Sequence, residues 1–211
     1  MEERPMSEAT DRPSLQVGEL LGSAWTVFAK NVGILIGAYA VMAVILAGVN
    51  IVPLGGLATV VLMGPLLLGL VTLCMRFLRG EPADFGLLFS GFNNFLPAFL
   101  AQLVITIFTA IGLCLCIIPG LIVSALYSLT FYYMYDQKLD FWPAMEASRT
   151  TVMANPGAWA ILLIVIYAMN LVGSIPCGLG TLVTMPLSFL MLGLAYERTK
   201  TPATAESAPN A

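Results

Sequence analysis

Most apolar positions in this chain do not alternate with polar ones; they run on without interruption. Three stretches, 31–75, 85–135 and 150–196, contain no Asp, Glu, Lys or Arg. One membrane crossing takes about 20 apolar residues, and these stretches hold 45, 51 and 47 residues. Each is long enough for two crossings and a tight turn. Each also breaks near its middle, at Val52-Pro53-Leu54-Gly55-Gly56, Ile118-Pro119-Gly120 and Ile175-Pro176-Cys177-Gly178-Leu179-Gly180. Pro and Gly there are turn punctuation. The pattern predicts an all-α membrane protein with six transmembrane helices as three tandem helical hairpins, spanning about 32–52, 56–76, 96–117, 121–137, 157–174 and 180–197. The fourth is the shortest. Its apolar part, 121–135, reaches about 22 Å at 1.5 Å per residue, so it must end at the interface or pack partly against protein.

Three shorter segments carry a helical period instead. Val17, Leu20, Leu21, Ala24, Trp25 and Phe28 form one stripe. Phe85, Leu88, Phe89 and Phe92 form a second, and Asp140 stands as an N-cap before Phe141-Trp142-Pro143-Ala144-Met145 in the third. These read as interfacial amphipathic helices on the cytoplasmic side. Each leads to an Asn where the chain enters the membrane, at Asn31, Asn94 and Asn155, and a Pro break follows 22, 25 and 21 residues later. An internal repeat is therefore expected, with units of about 14–80, 81–138 and 139–200. The flanking segments 1–13 and 201–211 have the composition of disordered cytoplasmic tails.

Composition narrows the function classes. Apolar residues make up 59% of the 211 and charged residues only 10%, with mean hydropathy +0.90. Soluble domains carry about 25% charged residues, so a soluble enzyme is excluded. There is no histidine, which removes the commonest general base and metal ligand. The net charge is -3 and no basic stripe exists, so nucleic acid is not a partner. The N-terminus, MEERPMSEATDRP, lacks the apolar core of a secretory signal. All charges fall in 1–30, 76–84, 136–149 and 197–206, on one side of the three hairpins. The positive-inside rule then places both termini in the cytoplasm, with the chain in the plasma (inner) membrane. Trp25, Trp142 and Trp159, with Tyr132, Tyr133, Tyr135 and Tyr196, lie beside the charged patches, where interfacial aromatics are expected.

Candidate chemistry inside the spans is sparse. Asn50, Gln102 and Asn170 are polar positions that either line a cavity or bond helix to helix. No Asp, Glu, Lys or Arg lies in the interior of a span, so a proton relay is not expected. Cys116 and Cys177 lie near the outer turns, where a disulfide and a pair of small apolar helix residues are both compatible with the sequence. Gly33 and Gly37 make a GxxxG face, and Pro65 and Pro186 sit within spans. Trp25, Trp142 and Arg149 are candidate interfacial contacts, with Arg149–Glu146 and Arg79–Glu81 as charged pairs near the membrane. No catalytic, cofactor or metal residue is assigned.

Several motifs together resemble a known group. These are Ser23-Ala24-Trp25, Gly64-Pro65-Leu66-Leu67-Leu68-Gly69, Arg79-Gly80-Glu81, Ser90-Gly91-Phe92, Ile117-Ile118-Pro119-Gly120, Asp136, Phe141-Trp142, Ala147-Ser148-Arg149, Cys177-Gly178-Leu179-Gly180 and Ala195-Tyr196-Glu197-Arg198. Over roughly 14–198 the chain resembles uncharacterised prokaryotic integral-membrane proteins similar to the membrane domain fused to some glycerophosphodiester phosphodiesterases. The resemblance implies a membrane fold and no activity. The expected function is a non-enzymatic multi-pass protein that organises membrane lipid or a partner protein, with self-association open. The alternative is a carrier or permeability path for a small amphipathic or lipidic molecule.

Overall fold

The computed structural model describes residues 15–51, 55–115, 117–175 and 178–200. Among them every regular element is helical. The order is α1 (Val17–Lys30), α2 (Val32–Val49), α3 (Gly55–Leu78), a 3₁₀ segment (Phe85–Asn94), α4 (Phe95–Leu115), α5 (Ile117–Leu126), α6 (Thr130–Asp136), α7 (Phe141–Ala154), α8 (Pro156–Ser174) and α9 (Thr181–Thr199). Both expected tails, the disulfide cysteines Cys116 and Cys177, and the first turn's Val52-Pro53-Leu54 lie outside the described residues.

Four helical segments are long and apolar enough to cross a membrane: Val32–Val49, Gly55–Leu78, Phe85–Cys114 and Pro156–Ser174. Large apolar side chains such as Val44, Leu96, Ile161, Ile164 and Leu171 point away from the protein on them. A surface of that kind suits hydrocarbon and not water. The other two expected spans differ in kind. The region expected at 121–137 is split by a turn at 127–129 into α5 and α6, and α9 carries Glu197 and Arg198 in its last turns.

The split has a specific support. Ser148 of α7 is fully buried, donates to the Leu126 carbonyl at 2.7 Å and accepts from the Leu129 amide at 3.1 Å. One hydroxyl thus satisfies backbone groups at the break, as backbone that leaves a helix away from water requires. Beyond it, Thr130 through Met134 are buried in protein. The break expected at Ile118-Pro119-Gly120 is not found there: these residues lie in α5, with Pro119 in its first turn, where proline costs no hydrogen bond.

The centre is built by α3, α6 and α9, and α3 packs against both of the others. Around them, α1 packs on α9, the 3₁₀ segment on α3, and α7 on α6. The α3 contact is the closest. A Cβ on Gly69 would lie 1.8 Å from the Leu88 carbonyl oxygen, and one on Gly91 would lie 2.0 Å from the Pro65 oxygen. Glycine at both positions lets two backbones touch, which explains the Gly64-Pro65-Leu66-Leu67-Leu68-Gly69 motif by packing. By contrast, Gly33 of the GxxxG face meets nothing within 4 Å and Gly37 meets only the Phe85 ring, at 3.9 Å.

Four aromatics expected at the interface are in the core: Trp159, Tyr132, Tyr133 and Tyr196 are all under 2% exposed. The tyrosines can be buried because each hydroxyl has a partner. Tyr132 donates to the Phe189 carbonyl at 2.7 Å, Tyr133 shares a hydrogen bond with Thr151 at 2.6 Å, and Tyr196 donates to Asp136 at 2.8 Å.

Two substitutions test these joints by unfolding midpoints in detergent micelles. Ser148→Ala leaves a buried N–H and C=O unpaired and is expected to cost about 1–3 kcal/mol. Gly69→Ala forces α3 and the 3₁₀ segment apart, with an expected cost of about 1–3 kcal/mol. Unchanged midpoints would contradict both assignments.

Candidate functional site

The three central helices end together in a charged cluster. Arg79 directly follows α3, Asp136 closes α6, Glu197 lies in the last turn of α9 and Lys200 follows it. Arg79 donates to Glu197 from Nε at 2.9 Å and Nη2 at 2.6 Å, and Nη2 also bonds the Asp136 carboxylate. Lys200 completes the group, at 2.8 Å from Glu197 and 3.3 Å from Asp136. Two cations and two carboxylates therefore balance, and a single guanidinium joins three helices that are distant in sequence.

The backbone explains how Arg79 is free to do this. Gly80 adopts a left-handed φ of 68°, its amide bonds the Phe77 carbonyl, and the Glu81 amide bonds the Arg76 carbonyl. That is a Schellman C-cap. It turns Glu81 back onto Arg76, at 3.0 Å. The expected Arg79–Glu81 pair is therefore replaced by Arg76–Glu81, and Arg79 reaches across the bundle.

Asp136 and Glu197 are the first charges after two charge-free stretches, on the watery side of each. Burial alone would raise the Asp136 carboxyl, but bonds from Arg79, Tyr196 and Lys200 outweigh it and hold the group below the usual range. Burial likewise opposes, and Lys200 and Arg79 overcome, at Glu197, which is also lowered. Both carboxylates are ionised and engaged at neutral pH, so neither is available as a general base. Among the described residues, no group of three Cys, Asp or Glu is placed to hold a metal.

The charged side also carries an aromatic face. Starting beside Asp84, the rings of Phe85, Phe89, Phe92, Phe95 and Phe99 follow one another with centroids 6.0–6.5 Å apart. The first four are exposed. Trp25 and Trp142 are exposed too, at 53% and 57%, which suits an interfacial anchor. Arg149 is exposed and paired with Glu146, as expected. Its bond is local, so it leaves the bundle's interior untouched.

Asn50, Gln102 and Asn170 are not brought together. Asn50 donates to Thr59 at 2.8 Å and ties α2 to α3. Asn170 donates to Ser188 at 2.7 Å and ties α8 to α9. Gln102 bonds Thr106 within α4, at 3.1 Å. A similar tie, Ser124 to Tyr167 at 2.7 Å, joins α5 to α8. Asn50 and Asn170, with Ser124 and Tyr167, thus bond helix to helix, whereas Gln102 bonds along its own helix. Sequence reasoning missed the Arg79 cluster, although Asp136 and Glu197, each the first charge after a charge-free stretch, were its signal.

An uncharacterized protein of Mycobacterium tuberculosis is 27% identical to this chain over 130 residues, which is 62% of this chain and 40% of that protein. An uncharacterized protein of Mycobacterium bovis matches to the same extent. The chain thus spans less than half the length of the curated relatives it matches. No family model and no solved structure matches the chain.

The cluster predicts a pH response with a definite sign. Lowered folded-state carboxyl pKa values stabilise the protein above the unfolded value of about 4. That stability is lost as pH falls through the folded values. The unfolding midpoint should be flat from neutral pH to about pH 5 and fall below about pH 4. Asp136→Asn should flatten the acid limb, and Arg79→Ala should lower stability at neutral pH by about 1–3 kcal/mol. An unchanged acid limb in Asp136→Asn would contradict the network.

Proposed function

We propose that this chain is a non-enzymatic multi-pass protein of a prokaryotic plasma membrane that organises the surrounding lipid through its charged-side aromatic face. The observation that carries the reading is the row of exposed phenylalanines from Phe85 to Phe95, with Trp25 and Trp142 exposed as well. Apolar rings beside charged residues, with tryptophans among them, suit a surface that dips into the headgroup zone. Two features support it over a carrier. Asn50, Gln102 and Asn170 donate hydrogen bonds between or along helices, and the carboxylates at the charged end are neutralised.

The six-span reading, with both termini in the cytoplasm, belongs to this proposal. It takes α5–α6 as far as Tyr135 and α9 as far as Tyr196 as the fourth and sixth crossings, with Thr130 through Met134 and much of α9 lined by protein. The cyclic packing of α1 on α9, the 3₁₀ segment on α3 and α7 on α6 supports three repeated units closed in a ring. The resemblance to the membrane domain of some glycerophosphodiester phosphodiesterases fits such a module and brings no activity with it. A protein partner, including a second copy, would dock on the same face.

Topology is tested by labelling single cysteines in a background with Cys74, Cys114, Cys116 and Cys177 replaced. Leu179→Cys, exposed in the outer turn, should react only from outside, and Thr201→Cys only from inside. Labelling of both from one side would overturn the six-span arrangement. For the lipid role, lipid retained by purified protein is measured by mass spectrometry. Phe89→Ala/Phe92→Ala/Trp142→Ala should retain at most about half the wild-type phospholipid, since each exposed ring contributes apolar contact of about 1–2 kcal/mol. Unchanged lipid, or a stoichiometric non-lipid metabolite, would favour the carrier instead.

A further inference from the structure

A cavity of about 250 Å³ lies between α3, the start of α4, the end of α6 and the loop leading to α7. Leu68, Pro97, Met134 and Leu139 form its apolar lining, and Asn94, Lys138 and Asp140 its polar lining. Pockets for whole drug-sized ligands run about 300–1,000 Å³, so this one suits a headgroup whose chains lie elsewhere.

Its polar groups are of both signs and are held apart from each other. Lys138 has a positive φ of 55°, unusual for a residue with a side chain. Its ammonium sits 4.9 Å from the centre of the Tyr135 ring and forms no ion pair among the described residues. Asp140 caps α7 through one oxygen, accepting from the Phe141 amide at 2.7 Å. Lys138 and Asp140 are thus two opposite charges at one mouth that do not neutralise one another. Every other Arg or Lys from Arg76 onward is in an ion pair.

We infer that this cavity binds the phosphoethanolamine headgroup of a phospholipid. The phosphate is met by the Lys138 ammonium and the Asn94 amide, and the ligand's own ammonium by Asp140. Leu68 and Met134 lie against the glycerol end, where the first methylenes leave the pocket. The apolar lining is what selects a lipid over a free phosphoester of the same headgroup. This deepens the lipid reading above by naming a headgroup, and it rests on that reading.

The test uses the full chain in discs of mixed phosphatidylethanolamine and phosphatidylglycerol, with retained lipid identified by native mass spectrometry. Wild type should retain phosphatidylethanolamine over phosphatidylglycerol at a ratio at least about tenfold above their ratio in the bulk disc, the worth of one charge-assisted hydrogen bond. Lys138→Asn keeps a residue that tolerates left-handed backbone and should abolish the preference. Asp140→Asn keeps the N-cap and should shift retention toward phosphatidylglycerol. Glycerophosphoethanolamine at millimolar concentration should not displace the lipid; displacement would overturn the lipid source in favour of a soluble ligand. Equal retention of the two lipids by wild type, or a preference untouched in both variants, would overturn the site. If the aromatic variants still lose lipid in that case, the general lipid role survives without it. If they do not, both readings fall.

Discussion

The bond from Arg79 to Asp136 and Glu197 is the interaction around which the rest is arranged. It lies where the central helices leave the charge-free stretches, and it joins the ends of α3, α6 and α9. Helices in lipid gain little from apolar contact alone, because the tails outside are as apolar as the residues inside. Packing and polar bonds must therefore fix their arrangement. At the charged end one guanidinium does so. Deeper in the bundle the same work is divided between backbone contact at Gly69 and Gly91 and hydroxyl bonds from Ser148, Tyr132 and Tyr133.

The economy of polar groups follows from the same constraint. A donor or acceptor unpaired in hydrocarbon is costly, and most of the polar side chains named above spend hydrogen bonds on other helices or on nearby backbone, although the Thr109, Thr130 and Thr184 hydroxyls have no partner among the described residues. Asn50, Asn170 and Ser124 each pair across a helix boundary. At the charged side, Lys138 forms no ion pair among the described residues, and Asp140 spends one carboxylate oxygen on its helix cap.

Much of this was legible in the residues, and the misses have physical causes. Apolar run length reports helices that face lipid, and Val32–Val49, Gly55–Leu78 and Pro156–Ser174 were found within a few residues. It does not report how a helix is supported by protein. The turn at 127–129 depends on Ser148, about twenty positions on in the chain, and no local pattern announces it. Aromatic position near a charge patch likewise does not separate anchors from core. Trp25 and Trp142 face out while Trp159, Tyr132 and Tyr196 face in, because only tertiary contact decides which ring has an inner partner. Arg79 was paired with Glu81 by proximity in sequence, yet the left-handed Gly80 turn hands Glu81 to Arg76.

The most direct measurement is a double-mutant cycle between Arg79 and Asp136. Arg79→Ala, Asp136→Ala and the double variant are unfolded by titration with denaturing detergent in mixed micelles. If Arg79 clasps the central helices, the single losses will not add, and the coupling will be about 1 kcal/mol or more. Additive losses within about 0.3 kcal/mol would mean that the helices are held together without the clasp, and would contradict the account.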